Sequence, residues 1–225
     1  AIAYAAAAAI DMAERAATAP ERHDAETRAS LLTPVVKAFA SDVGCEVASL
    51  GVQVHGGMGF IEETGAAQLL RDIRIAPIYE GTNAIQAIDL VTRKIGRDGG
   101  APLAALIEQC RADLVSAADI IGPSIGPITA ALAAWQQATA HLLSASTAEW
   151  DKLFVASSYL RLFGIAFGGA LLARGAAAAG PREAHWPIQA RVFAEDVCTE
   201  APALLPQIVS PHRRISDYRE LAGAS

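Results

Sequence analysis

Ile78-Tyr79-Glu80-Gly81-Thr82-Asn83-Ala84-Ile85-Gln86 sets one carboxylate between an apolar, aromatic approach and a glycine that leads into a helix. Ile78 and Tyr79 are placed to hold the Glu80 carboxylate away from water, which strengthens a carboxylate as a base toward a weakly acidic C–H. Gly81 carries no Cβ, so a substrate can come close to the backbone there. Thr82 or Asn83 serves as N-cap of a helix whose apolar face is Ile85, Ile88, Val91 and Ile95, and Asn83 with Gln86 approximates a capping box. A Glu-Gly pair on its own reads as a surface turn. Two stretches upstream alter that reading: Val52-Gln53-Val54-His55-Gly56-Gly57-Met58-Gly59-Phe60 and, between it and the loop, Leu70-Arg71-Asp72-Ile73-Arg74.

In order and spacing, residues 1–98 resemble the C-terminal helical domain of the acyl-CoA dehydrogenases, whose members carry Gln-x-x-Gly-Gly-x-Gly-aromatic, an Arg-Asp pair and then Tyr-Glu-Gly-Thr. Asn83 and the run from Ile85 to Leu90 are most similar to the branch of long-chain and 3-methylmercaptopropionyl-CoA dehydrogenases. That branch carries a further helical domain at its C-terminus, which residues 99–225 resemble.

The resemblance implies FAD-dependent α,β-dehydrogenation of an acyl-CoA thioester, with Glu80 taking the α proton while a hydride leaves the β carbon for flavin N5. Such chemistry needs hydrogen-bond donors on the thioester oxygen to stabilise enolate charge, one of which the family draws from the flavin ribityl chain. Gly81 is then the residue against the substrate. Gln53, Val54, His55, Gly56 and Gly57 match the segment that reaches the ADP half of a flavin bound mainly by the neighbouring subunit, with His55 at a position that varies in the family. Gly56 and Gly57 can offer backbone N–H groups to phosphate oxygens, whereas a double glycine otherwise simply stops a helix. Thr82, Asn83 and Ala84 match residues that approach the flavin. The implied partners are an acyl-CoA substrate, electron-transfer flavoprotein as electron acceptor, and further copies in a homodimer or dimer of dimers. No stretch matches the family's N-terminal helical domain or its middle β domain, so the site carried over is half a site.

Composition sets the remaining bounds. The 225 residues are 52% hydrophobic and 19% charged, as expected of a compact chain rather than a disordered one. Residues 1–100 hold 9 Lys and Arg against 13 Asp and Glu, and residues 101–225 hold 9 against 11, which argues against nucleic acid as a partner. A non-catalytic module, such as the DNA-binding alkylation-response relatives of the family, needs a basic face that this balance does not supply. Cys45, Cys110 and Cys198 are odd in number and far apart, and the five histidines form no His-x-x-x-His pair, so neither a disulfide framework nor a metal site is expected. A reducing cytoplasm is the expected home. The chain opens Ala1-Ile2-Ala3-Tyr4, inside a helical pattern, as part of a longer polypeptide or a split subunit would.

The pattern of apolar residues predicts helices throughout. Residues 1–18 form an alanine-rich helix ended by Pro20, and a second runs from about Asp24 to Val54, interrupted at Pro34 with Thr33 as a new N-cap. Its apolar row is Val35, Ala38, Phe39, Val43, Val47, Leu50 and Val54. Shorter helices are expected over 66–73 and 83–95, and Gly96 to Pro102 reads as a linker. Beyond it, helices are expected near 102–121, 127–144, 148–179 and 188–209, with breaks at Gly122-Pro123, Gly126-Pro127, Gly180-Pro181 and Pro211. Val155 to Ala173 is apolar enough for a membrane span, but Arg161 in its middle favours a buried helix. Gly164 and Gly168 allow close helix approach, Arg71 and Asp72 tie the short helix to its neighbours, and Trp135, Trp150 and Trp186 are expected in the core or at an interface. The class is all-α: one helical bundle followed by a second.

Overall fold

A computed structural model of the chain describes residues 1–180, 183–221 and 223, apart from the side chains of 212, 213 and 219. Among these residues every regular element is helical, as the apolar pattern predicts. Helices α1 (Ile2–Arg15) and α2 (Ala19–His55) form a hairpin. Pro20 does not end α1 but starts α2. Thr18 Oγ1 accepts from the Glu21 N–H at 3.3 Å and the Glu21 carboxylate accepts from the Thr18 N–H at 3.0 Å, a complete capping box with proline in the first turn. Pro34, expected to force a restart, lies inside α2, and Thr33 donates to the Ala29 carbonyl at 2.8 Å instead of capping. An interior proline costs a helix about 3 kcal/mol. Here Leu31, Leu32, Pro34 and Val35 are all buried, so packing against the rest of the fold outweighs that cost.

After the short α3 (Gly57–Phe60) and α4 (Ala66–Ile73), helix α5 (Asn83–Asp89) continues into a π-turn over Leu90–Lys94, where the Ile95 N–H reaches the Leu90 carbonyl at 3.0 Å. Ala87 of α5 is buried, and across the wider turn Leu90, Val91 and Ile95 lie on the buried side with it. Ile85, expected on that face, is 56% exposed. Asp98, Gly99 and Gly100 all have positive φ (51°, 69° and 84°) and turn the chain into α6 (Ala101–Ile121).

Helices α6, α7 (Ile125–Leu143), α9 (His185–Asp196) and α10 (Ala201–Val209) surround α8 (Glu149–Ala178), and α11 (His212–Leu221) follows Pro211. Pro127 sits in the first turn of α7 rather than at a break, and the single helix expected over 188–209 is two helices around a 3-10 turn at Cys198–Glu200. The expected break at Gly180-Pro181 extends to Pro181, outside the described residues, while α8 itself ends at Ala178. Trp135 is fully buried, Trp186 packs over Gly175, and Trp150, expected in the core or at an interface, is 69% exposed in this chain.

By length and composition two helical stretches, 97–143 and 149–178, are apolar enough to cross a membrane, but the apolar window of the second is 72% buried inside the fold. Glycines on α8 are its contact points. Gly164 faces the Phe39 ring of α2, Gly168 faces Phe193 of α9, and Gly169 faces Ile128 of α7. Arg161, the charge inside the apolar stretch of this helix, reaches Glu46 of α2 at 3.1 Å and Glu200 at 3.2 Å. One buried cluster therefore runs through both halves, joining Leu32, Val35, Leu90 and Ile95 to Leu103, Trp135, Phe163 and Phe167.

Candidate functional site

The loop carrying Glu80 is closed at its base, where the Asn83 N–H donates to the Pro77 carbonyl at 3.0 Å, and braced near its start by N–H bonds from Ile78 and Tyr79 to the Ile75 carbonyl. Glu80 and Gly81 have φ of 54° and 85°. A left-handed Glu is uncommon and disfavoured by its own Cβ, so the rest of the loop must hold it there. Gln86 supplies one restraint, its side-chain amide donating to the Glu80 carbonyl at 3.1 Å. A Cβ on Gly81 would lie 3.3 Å from that same amide, so glycine keeps the bond open.

The capping box expected from Asn83 and Gln86 does not form. Thr82 occupies the N-cap position without a side-chain cap bond, and Gln86 is engaged with Glu80. Asn83, expected to approach a flavin, points its side chain at α2. Its two Nδ2 protons are shared among Asp42 Oδ1 at 2.7 Å, Ser41 Oγ at 2.9 Å and the Ala38 carbonyl at 3.2 Å, and its Oδ1 accepts from Lys37 Nζ at 2.9 Å. Lys37, Ser41 and Asp42 were not among the residues expected from sequence. The signal available was polar residues at i, i+4 and i+5 beside the buried positions Val35 and Ala38.

Ile78 and Tyr79 do not shelter Glu80 within this chain: each is 54% exposed, and Glu80 and Gly81 are exposed with them. Tyr79 instead edges a shallow, mainly apolar hollow with Leu69, Asp72, Ile73, Ile75 and Ala76.

The second stretch lies where α2 ends. Gly56 (φ 60°) breaks the helix, and its N–H returns to the Gln53 carbonyl at 3.0 Å. Gly59 is a close-packing glycine, since a Cβ there would run into the Val52 carbonyl oxygen and lie 2.8 Å from His55 Cβ. Gly56 and Gly57 differ, because a Cβ on either would meet nothing within 4 Å. Gly56 is held to glycine by its positive φ, whereas Gly57 has ordinary backbone and its lack of a side chain is not explained by packing inside the chain. Gln53 and Val54 are exposed beside it, while His55 Nδ1 is turned back to the Gly51 carbonyl at 2.8 Å. Thr82 and Ala84 are also exposed.

Arg71 pairs with Glu62 rather than with Asp72, donating at 2.9 and 3.3 Å and so tying α4 to the preceding turn. This hydrogen bond lowers the Glu62 pKa and raises that of Arg71. Both side chains are well exposed, so the pair adds little stability. Among the described residues no three His, Cys, Asp or Glu side chains gather as a metal site would require, and Cys45, Cys110 and Cys198 are free.

Comparison with known proteins gives two adjoining family matches: "Acyl-CoA dehydrogenase, C-terminal domain" over residues 1–95 and "Acetyl-CoA dehydrogenase C-terminal like" over residues 103–218. Along 92% of its length the chain is 40% identical to 3-methylmercaptopropionyl-CoA dehydrogenase of Ruegeria pomeroyi, of which it covers 36%. A butyryl-CoA dehydrogenase of Syntrophomonas wolfei is 43% identical over 41% of the chain, and a broad-specificity linear acyl-CoA dehydrogenase of Mycobacterium tuberculosis 43% over 33%. The chain covers 15% and 12% of those two relatives, so it spans about a third or less of each protein it matches here.

Proposed function

Because this chain belongs to the acyl-CoA dehydrogenase family, we propose that it is the C-terminal portion of an FAD-dependent enzyme that desaturates an acyl-CoA thioester between Cα and Cβ, with Glu80 as the base. The observation that carries the reading is Glu80 itself: a carboxylate held in left-handed backbone beside a glycine that must remain side-chain-free, on a loop with an apolar hollow at its edge. The Glu80 carboxylate accepts the α proton, and the electron pair of that C–H bond becomes the new double bond as a hydride departs from Cβ. FAD supplies the hydride acceptor when bound. Gly56 and Gly57 would hold its phosphate end, with Gln53 offering an amide to the same moiety.

The uncovered apolar residues Val47, Leu50, Val54, Met58 and Phe60 flank those glycines, and they support a homodimer or dimer of dimers in which Gln53 to Gly57 meets a neighbour's cofactor. Domains 1–98 and 99–225 then divide the work between site and support, with electron-transfer flavoprotein taking the electrons onward. Glu80→Gln in the intact protein tests the base. The amide keeps the shape of an exposed side chain, so folding and acyl-CoA binding should persist while flavin reduction falls by at least ~10³-fold, at the upper part of what a positioned base contributes. Reduction by the cognate acyl-CoA at near wild-type rate removes Glu80 from the mechanism.

A further inference from the structure

Resting on the reading of Glu80 as the base, we propose that Asn83, gripped by Lys37, Ser41 and Asp42 on α2, is a positioning residue that sets where the Glu80 carboxylate stands.

The grip is directional. Lys37 Nζ can only donate and the Asp42 carboxylate can only accept, so the Asn83 amide has one orientation, oxygen toward Lys37 and NH2 toward Asp42. The single Ser41 hydroxyl proton has the Lys37 carbonyl as its nearest acceptor at 2.7 Å, ahead of the Ala38 carbonyl at 3.1 Å and Asn83 Oδ1 at 3.3 Å, which leaves its oxygen to accept from Asn83 Nδ2 at 2.9 Å. Hydrogen bonds to charged partners are roughly twice as strong as neutral ones. Asn83 is therefore anchored to α2, the long helix held to the core by Leu32, Val35 and Ala38.

From that anchor two links lead to Glu80. The Asn83 N–H closes the loop onto the Pro77 carbonyl, and Gln86, one turn along α5, holds the Glu80 carbonyl from the other side. Glu80 is exposed and its backbone is strained, so within this chain no packing fixes it. Position reaches it along this chain of bonds on the α5 side, opposite the Ile78 and Tyr79 N–H bonds to the Ile75 carbonyl on the other. An N-cap role does not account for Asn83, because Thr82 occupies the cap and the Asn83 side chain faces away from α5's own backbone donors.

The test uses the intact, FAD-loaded protein and a short-chain acyl-CoA, with and without deuterium at Cα, followed by the rate at which the flavin bleaches. Asn83→Ala should slow bleaching by ~10- to 100-fold, the scale of an ångström-sized misplacement of a reacting group, and change acyl-CoA affinity by less than ~3-fold. The α-deuterium effect should rise as proton abstraction becomes more limiting. Lys37→Met, which keeps the stem and removes the donor, should do the same by ~3- to 10-fold, and Asn83→Ala/Lys37→Met should be no slower than Asn83→Ala alone, as two members of one unit behave. Arg161→Ala, which cuts a different tie of α2, serves as the stability control and should leave the isotope effect unchanged.

Wild-type bleaching and isotope effect in either Asn83→Ala or Lys37→Met overturns the proposal while leaving Glu80 in place. Where Asn83→Ala does not fold, Lys37→Met decides alone. A Glu80→Gln variant that still bleaches marks the other failure, that of the base assignment itself.

Discussion

A Glu in left-handed backbone is held at a cost of about 1–3 kcal/mol, and Glu80 meets it with the Gln86 bond on one side and the Asn83 tie on the other. Gly57 is the opposite case, a glycine with ordinary backbone and empty space in front of it. A Cβ on Gly57 meets no atom of this chain, so a loss on substitution points to what docks there. We expect Gly57→Val in the intact protein to fold with unchanged helical content and to lose FAD, overpacking of this kind costing about 1–3 kcal/mol. Flavin absorbance retained after extended dialysis shows that nothing approaches these glycines. The Glu80-Gly81 pair and the Gln53-to-Gly57 stretch were legible in the sequence because motif spacing depends only on order along the chain. The orientation of Asn83 was not, because its partners lie 41 to 46 positions away.

Elements of this chain obey their neighbours more than their own propensities. Pro34 remains inside α2 because the residues around it are buried, and the tie of α2 to α8 is one such burial. Gly164 is the point of closest approach, where a Cβ would overlap the Phe39 ring. Gly164→Ala should lower stability by about 1–3 kcal/mol despite alanine's higher helix propensity, worth up to about 1 kcal/mol in an open helix. Adding Phe39→Leu should recover part of the loss by opening the space. Denaturant midpoints for the single and double variants measure both, and a Gly164→Ala protein as stable as wild type means the helices do not meet there.

At the scale of the whole molecule, burial also sets the response to pH. Desolvation pushes the Cys110 and Cys198 thiols from 9.0 up to about 12 and the Tyr159 phenol from 10.0 up to about 12. The folded chain keeps these protons while the unfolded chain begins to release them near pH 9, so their contribution is complete below that and declines as pH rises toward 12. Urea midpoints should be level from about pH 7 to 8.5 and fall steadily at about pH 10 and 11; a flat profile would contradict the burial. With Glu80, Gln53, Gly56 and Gly57 all exposed, this chain purified alone should be helical and colourless, because bonds to FAD from an open surface replace water at a net gain of only ~1 kcal/mol each. Stoichiometric flavin absorbance in the isolated chain would place the whole cofactor site within it.

Periodicity, caps and motif order are local, and from them the sequence alone determined the all-α class, the helices over 66–73, 101–121 and 149–178 to within a residue or two, and the family that the Gly-Gly and Glu-Gly stretches announce. Tertiary structure decided the rest. It kept α2 whole through Pro34, split the last expected helix in two, and turned Asn83 inward. It also left Ile78, Tyr79 and Val54 facing outward. Each of these depends on which side chains meet across long stretches of chain, and an apolar residue carries no mark of whether its partner belongs to the same chain or to another.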